Sequence, residues 1–113
     1  MSITSIEPKT GATKWRHVIT LTRLPVASAL QIDDDRFFLT GGYRGGSTLM
    51  KIAKKDGAYA FEELFHCERG AQVHQPLRHG DDLYLLVNEN SNQARNKHSE
   101  GGLLCLGLDG KER

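Results

Sequence analysis

Histidine, cysteine and carboxylate side chains gather in a few short stretches of this chain. The segment HCERGAQVHQPLRHG (66–80) carries His66, Cys67, His74 and His79. Imidazole and thiolate are zinc ligands, and the four residues between His74 and His79 fall within zinc-site spacing. That spacing closes on a metal in a helix or a tight loop. Here the flanks read as strand, where residues an odd number of positions apart face opposite ways. His79 precedes Gly80 and Asp81 and reads as a turn neighbour, whereas His74 with Gln75 reads as part of a polar rim. The runs Asp33-Asp34-Asp35 and Asp81-Asp82 raise calcium binding. No EF-hand spacing follows them, and Asp is an ordinary turn former. Ser28, Ser47 and Ser91 lack the G-x-S-x-G elbow of a nucleophilic serine. Cys67 and Cys105 make no disulfide framework and read as unbridged, small apolar residues. No catalytic, cofactor-binding or metal-binding residue is assigned.

The segment TGGYRGGSTLMKI (40–52) sets four glycines around Tyr43 and Arg44. A glycine loop that cradles phosphate needs a helix behind it, with its N-terminal amides facing the anion. Behind Gly46 comes STLMKIA, which alternates like a strand. The glycines are therefore expected to turn a hairpin and to supply its positive φ angles. Tyr43 and Arg44 are expected at the exposed tip.

The elements that position these residues are short apolar runs bounded by Gly, Asp, Asn and Pro, with no sustained helical period. They are WRHVITL (15–21), VASALQI (26–32), RFFLTG (36–41), STLMKIA (47–53), YAFEELFH (59–66), QVHQPLRH (72–79), DLYLLVN (82–88) and GLLCLGL (102–108). Pro76 suggests an edge or an irregular start for the sixth. Eight short strands joined by tight turns predict an all-β protein. An internal pattern recurs as well. TGATKW (10–15), DGAYAF (56–61) and DGKER (109–113) each place a turn residue and a glycine before a strand, with the glycines 46 and 53 residues apart. PVASALQIDDDRFFLTG and PLRHGDDLYLLVN both read strand, acidic turn, strand. Gly pairs 45–46 and 101–102 both precede an apolar strand. Units of about 40–50 residues with four strands each are the pattern of β-propeller blades. On this reading residues 1–21 end one blade, 22–68 form a whole four-stranded antiparallel blade, and 69–113 form a following, truncated blade of an incomplete propeller.

The segments GLLCLGLDGKER and TGATKW resemble the pyrroloquinoline-quinone-type propeller repeat, whose usual form is Gly-x-Leu-x-Ala-Leu-Asp-x-x-Thr-Gly-x-x-x-Trp. Phe61 stands where that repeat has tryptophan, and LGLDGKER stops one residue short of it. The resemblance runs over nearly the whole chain and implies blade structure more than activity. It also implies further blades in a longer protein and a periplasmic or secreted setting, although MSITSIEPKT has no signal-peptide pattern. The quinone enzymes of that family use a tryptophan platform, a bridge between adjacent cysteines, and calcium held by Glu, Asn and Asp. Here Trp15 is the only tryptophan, and Cys67 and Cys105 are far apart in sequence. No cofactor is therefore expected of this chain.

Charge narrows the partners. The 113 residues carry 15 Lys and Arg against 14 Asp and Glu, a formal +1, with the basic residues scattered. That balance argues against nucleic acid, and no apolar run reaches the ~20 residues of a membrane span. The long polar stretch NENSNQARNKHSE (88–100) reads as a solvated insertion or a recognition loop. A non-catalytic scaffold or binding module is the expected function, with a protein, small-molecule or glycan partner. One alternative is a quinoprotein dehydrogenase whose catalytic blades lie outside this chain. Another is a carbohydrate- or peptide-binding propeller using Tyr43, Trp15 or the 88–100 loop.

Overall fold

A computed structural model describes residues 2–22, 26–88 and 101–113. Every regular element in it is a strand. In chain order these are β1 (Ser2–Ile6), β2 (Thr13–Val18), β3 (Leu30–Gln31), β4 (Arg36–Gly41), β5 (Gly46–Lys55), β6 (Ala58–Cys67), β7 (Leu77–His79), β8 (Asp82–Asn88) and β9 (Gly101–Gly107). They form three antiparallel sheets, β1-β2, β3-β4-β5-β6 and β7-β8-β9. The all-β expectation holds, and among the described residues no helix is long and apolar enough to cross a membrane.

The sheets stack face to face because the middle one is apolar on both sides. On one side Phe38 and Leu49 pack with Ile32 against Leu83, Leu85, Val87, Leu104 and Leu106 of the third sheet. On the other, Phe37, Leu39 and Met50 pack with Ile19 and Leu21, and with Ile3 of the first sheet. Phe38 is opposite Leu49, and Phe37 opposite Met50, so each cross-strand pair serves one layer. A strand buried on both faces reads as a continuous apolar run rather than as an alternation, as in RFFL.

Strand β6 must also serve both layers, and a bulge lets it. Glu63 lies opposite Met50, whereas Phe65 lies opposite Leu49, which leaves Leu64 as the extra residue. The inserted residue reverses the alternation. Phe61 therefore joins the cluster facing the first sheet, and Phe65 and Cys67 join the one facing the third.

Several sequence expectations shift. Residues 2–18 form a complete hairpin, β1-β2; the polar alternation of SITSI hid its first strand. The strand expected over 26–32 shrinks to Leu30–Gln31, because the small residues before it have little to bury; Val26 and Ala29 are exposed. The strand expected over 72–79 shrinks to Leu77–His79, and buried Pro76, which has no N–H to pair, stands just ahead of it. Cys67 and Cys105 are free, half-buried thiols. Cys67 faces the third sheet, while Cys105 alternates to that sheet's far side, so β9 lies between them.

Trp15 bridges two layers. From β2 it stacks on Phe37 with centroids 6.4 Å apart and meets Phe61 edge-on at 5.1 Å, with Tyr59 at 6.2 Å. His17 stacks flat on Phe61 at 4.0 Å. Trp15→Ala removes the centre of this cluster and should lower stability by about 2–3 kcal/mol. Urea unfolding checks it; a change within error would mean that the rings do not hold the first sheet to the second.

Candidate functional site

The connections after β2, β4 and β6 meet at one end of the stack. Their meeting point is the β4-β5 hairpin. Gly41 pairs with Gly46, and Gly45 N–H donates to the Gly42 carbonyl at 3.0 Å. The left-handed positions of the turn are not glycines. They are Tyr43 and Arg44, with φ of 57° and 62°. Positive φ at both central positions is the type I′ form of a two-residue hairpin loop, which matches the strand twist, and here non-glycine residues supply it.

The flanking glycines have another duty. A β-carbon on Gly45 would lie 2.5 Å from the Leu21 carbonyl oxygen, and one on Gly42 would lie 2.8 Å from the Gln72 side chain. Gly70 in turn runs directly against the Gly41 and Gly46 carbonyls. Glycine is required there because backbones converge, which corrects the sequence expectation that these residues mainly supply positive φ. Gly46, at φ 73°, is the exception. The hairpin is pinned from both sides. Thr22 Oγ1 donates to the Gly42 carbonyl at 3.1 Å, and Gln72 Nε2 donates to the Tyr43 hydroxyl at 2.8 Å. Tyr43 is consequently half-buried, while Arg44 is exposed.

Beneath the hairpin runs a buried hydroxyl chain. Ala71 N–H donates to Thr40 Oγ1 at 2.7 Å. Thr40 Oγ1 and Ser47 Oγ stand 2.9 Å apart, and Ser47 Oγ donates to the Arg69 carbonyl at 2.8 Å. Because the Ser47 proton is committed to Arg69, Thr40 donates to Ser47. The chain fastens the 69–71 segment to the middle sheet and so fixes the floor of the site. Nothing in the sequence distinguishes these hydroxyls from surface ones.

A cleft of about 470 Å³ opens at this point. Its backbone wall comes from Gly41, Gly42, Gly46 and Gly70, and its side chains are Arg44, His66 and Glu68. All three side chains are exposed, and among the described residues none makes a hydrogen bond or an ion pair. The arrangement can hold a small polar molecule against one cation, one carboxylate and one imidazole. Sequence reading noted Arg44 and His66 separately and passed over Glu68; only the approach of two connections joins them.

Other sequence candidates lie elsewhere. His74 is in the β6-β7 connection and His79 at the far end of β7; both are exposed. Among the described residues no three His, Cys, Asp or Glu stand close enough for a metal ion. Ser47 is fully buried within the hydroxyl chain, and Ser28 is exposed in the connection before β3. Ser91 and most of the 88–100 loop lie outside the described residues. Trp15 lines a separate cleft with Tyr59 and the Asp33–Asp35 turn. That turn joins β3 to β4 at the sheet end opposite Tyr43, so Trp15 and Tyr43 do not share a site. The turn is satisfied internally. Asp33 Oδ1 accepts from Arg36 N–H at 2.9 Å, and Asp33 Oδ2 pairs with the Arg36 guanidinium at 2.6 Å. The hydrogen bond from the Arg36 side chain brings the Asp33 carboxyl from its ordinary 3.8 to about 2.

The chain matches no family profile, no curated protein and no solved structure.

Two outcomes follow from these bonds. A depressed folded-state pKa makes the Asp33 contribution fully present above its ordinary 3.8 and loses it as pH falls towards about 2. The Asp33 carboxyl resonance should titrate near the lower value, and Arg36→Gln should return it towards the ordinary one. An unchanged midpoint in that variant would rule out Arg36 as the cause. Separately, Thr40→Val keeps the shape of the side chain but strands the Ala71 amide; it should cost about 1–3 kcal/mol and speed hydrogen exchange at Ala71. Unaltered exchange there would show that the chain does not hold the segment.

Proposed function

We propose that this chain is a non-catalytic binding scaffold of β-propeller type, built from stacked antiparallel blades within a larger quinone-repeat-like assembly. The observation that carries the reading is the pair of unlike fates of one sheet face. In the middle sheet, Phe38 and Leu49 lie under the third sheet, and Thr40 and Ser47 under the 69–71 segment. By register, Tyr84, Leu86, Leu103 and Cys105 occupy the same places in the third sheet. There, among the described residues, Tyr84 and Cys105 are half-buried, while Leu86 is 50% and Leu103 69% exposed, with Leu77 beside them 67% exposed. An apolar face of this kind is a surface made to be covered.

Strand order supports the same reading. The middle sheet runs β3 to β6 without a crossover, and the third repeats its first three strands. An isolated antiparallel bridge from Leu106 to Glu112, on the outer side of β9, supports a fourth strand there. The turn glycines Gly11, Gly57 and Gly110 share a left-handed φ of 72°, 83° and 79°. Binding is favoured over catalysis because the cleft at the β4-β5 hairpin offers charge and shape without a nucleophile paired to a base.

Alone, the chain should associate in dilute solution through the exposed leucines of the third sheet's outer face. Light scattering should report species larger than the monomer, and replacing both Leu86 and Leu103 with Glu should shift them towards the monomer. A sharp monomer peak with cooperative unfolding in the unsubstituted chain would overturn the blade reading.

A further inference from the structure

We propose that the cleft beside the β4-β5 hairpin binds a small zwitterion, a free α-amino acid. The inference rests on the binding-scaffold reading and names the ligand class of its cleft. Arg44 is brought to the rim by the left-handed turn, and Glu68 by the connection that leaves β6. They line one cavity and do not pair with each other. Elsewhere on the surface, opposite charges at comparable sites have closed up: Lys14 holds Glu7 at 2.7 Å, and Arg36 holds Asp33 at 2.6 Å. The hairpin and the 69–71 segment are fixed by the Thr22, Gln72 and hydroxyl contacts. The backbone on either side of the cleft is therefore held in place, with Arg44 in the pinned turn and Glu68 one residue before the fastened segment.

Charge selects what fits in that gap. A simple anion on Arg44 meets the Glu68 carboxylate, and a simple cation on Glu68 meets the guanidinium. A neutral molecule desolvates both charges and pairs neither, which is unfavourable. A molecule with a carboxylate and an ammonium satisfies both. The planar guanidinium takes the carboxylate through two parallel N–H donors, Glu68 accepts from the ammonium, and His66 walls the space beside Gly46. The cleft volume of about 470 Å³ lies within the range of about 300–1,000 Å³ typical of small-molecule sites. The glycine walls leave that space free of side chains.

Isothermal titration of the full chain with each of the twenty free L-amino acids tests the proposal. The N-acetyl amides of the same amino acids, which lack both charges, and acetate, which lacks the cation, are the controls. At least one free amino acid should bind while its N-acetyl amide and acetate do not. Arg44→Asn, which tolerates the left-handed backbone, and Glu68→Gln should each weaken that binding about tenfold or more. Both residues are exposed, so both variants should keep the unfolding curve of the parent chain. Binding by none of the amino acids, equal binding by the N-acetyl amide or by acetate, or binding that survives both substitutions would overturn the proposal. Light scattering of the unliganded chain reads the blade interpretation independently, so either idea can fail without the other.

Discussion

A β-sheet has two faces, and in the middle sheet here neither can tolerate water. Strand β4 sets phenylalanine or leucine on both sides, at Phe37, Phe38 and Leu39, and all three are buried. A sheet of that composition is unstable as a single layer. It needs a second sheet on each side, and the molecule supplies both, from β1-β2 and from β7-β8-β9. The layered order, the two separate apolar clusters and the position of Trp15 between the first two sheets follow from this need.

Serving two layers from one strand has a geometric consequence. β4 and β5 divide their side chains by simple alternation. β6 cannot, because Phe61 and Phe65 are an even number of positions apart and would share a face in a regular strand. The bulge at Leu64 reverses the alternation between them, so that one aromatic points into each cluster. A strand that reads as one-sided in sequence thereby becomes two-sided in the fold.

Close stacking also brings the connections together at the sheet ends, and there polar backbone must be satisfied without water. The middle sheet answers with Thr40 and Ser47, which carry hydrogen bonds from the Ala71 amide to the Arg69 carbonyl. Glycines at 41, 42, 45, 46 and 70 allow the strands and connections to approach. The cleft with Arg44, His66 and Glu68 is a by-product of this crowding: a rim on pinned backbone, with charges that pair with no other described residue. Binding residues on loops held by a stiff scaffold are a common outcome of such geometry.

The sequence by itself determined the local elements. Hydrophobic runs between Gly, Asp and Asn marked β2, β4, β5, β6, β8 and β9 but not β1, and the glycine cluster at 41–46 marked a turn, because backbone preferences and side-chain alternation act over a few residues. The double apolar character of RFFL was also legible, and with it the need for covering layers. Tertiary structure decided what depends on contacts distant in the chain. The bulge at Leu64 exists because Leu49 and Met50 face different neighbours. The left-handed Tyr43 and Arg44 sit in a turn that Thr22 and Gln72, both distant in the chain, pin through hydrogen bonds. Glu68 joins Arg44 only because the connection leaving β6 passes the hairpin tip. A residue pattern encodes which side of a strand is apolar, but which partner arrives at that side is set by the packing of whole sheets.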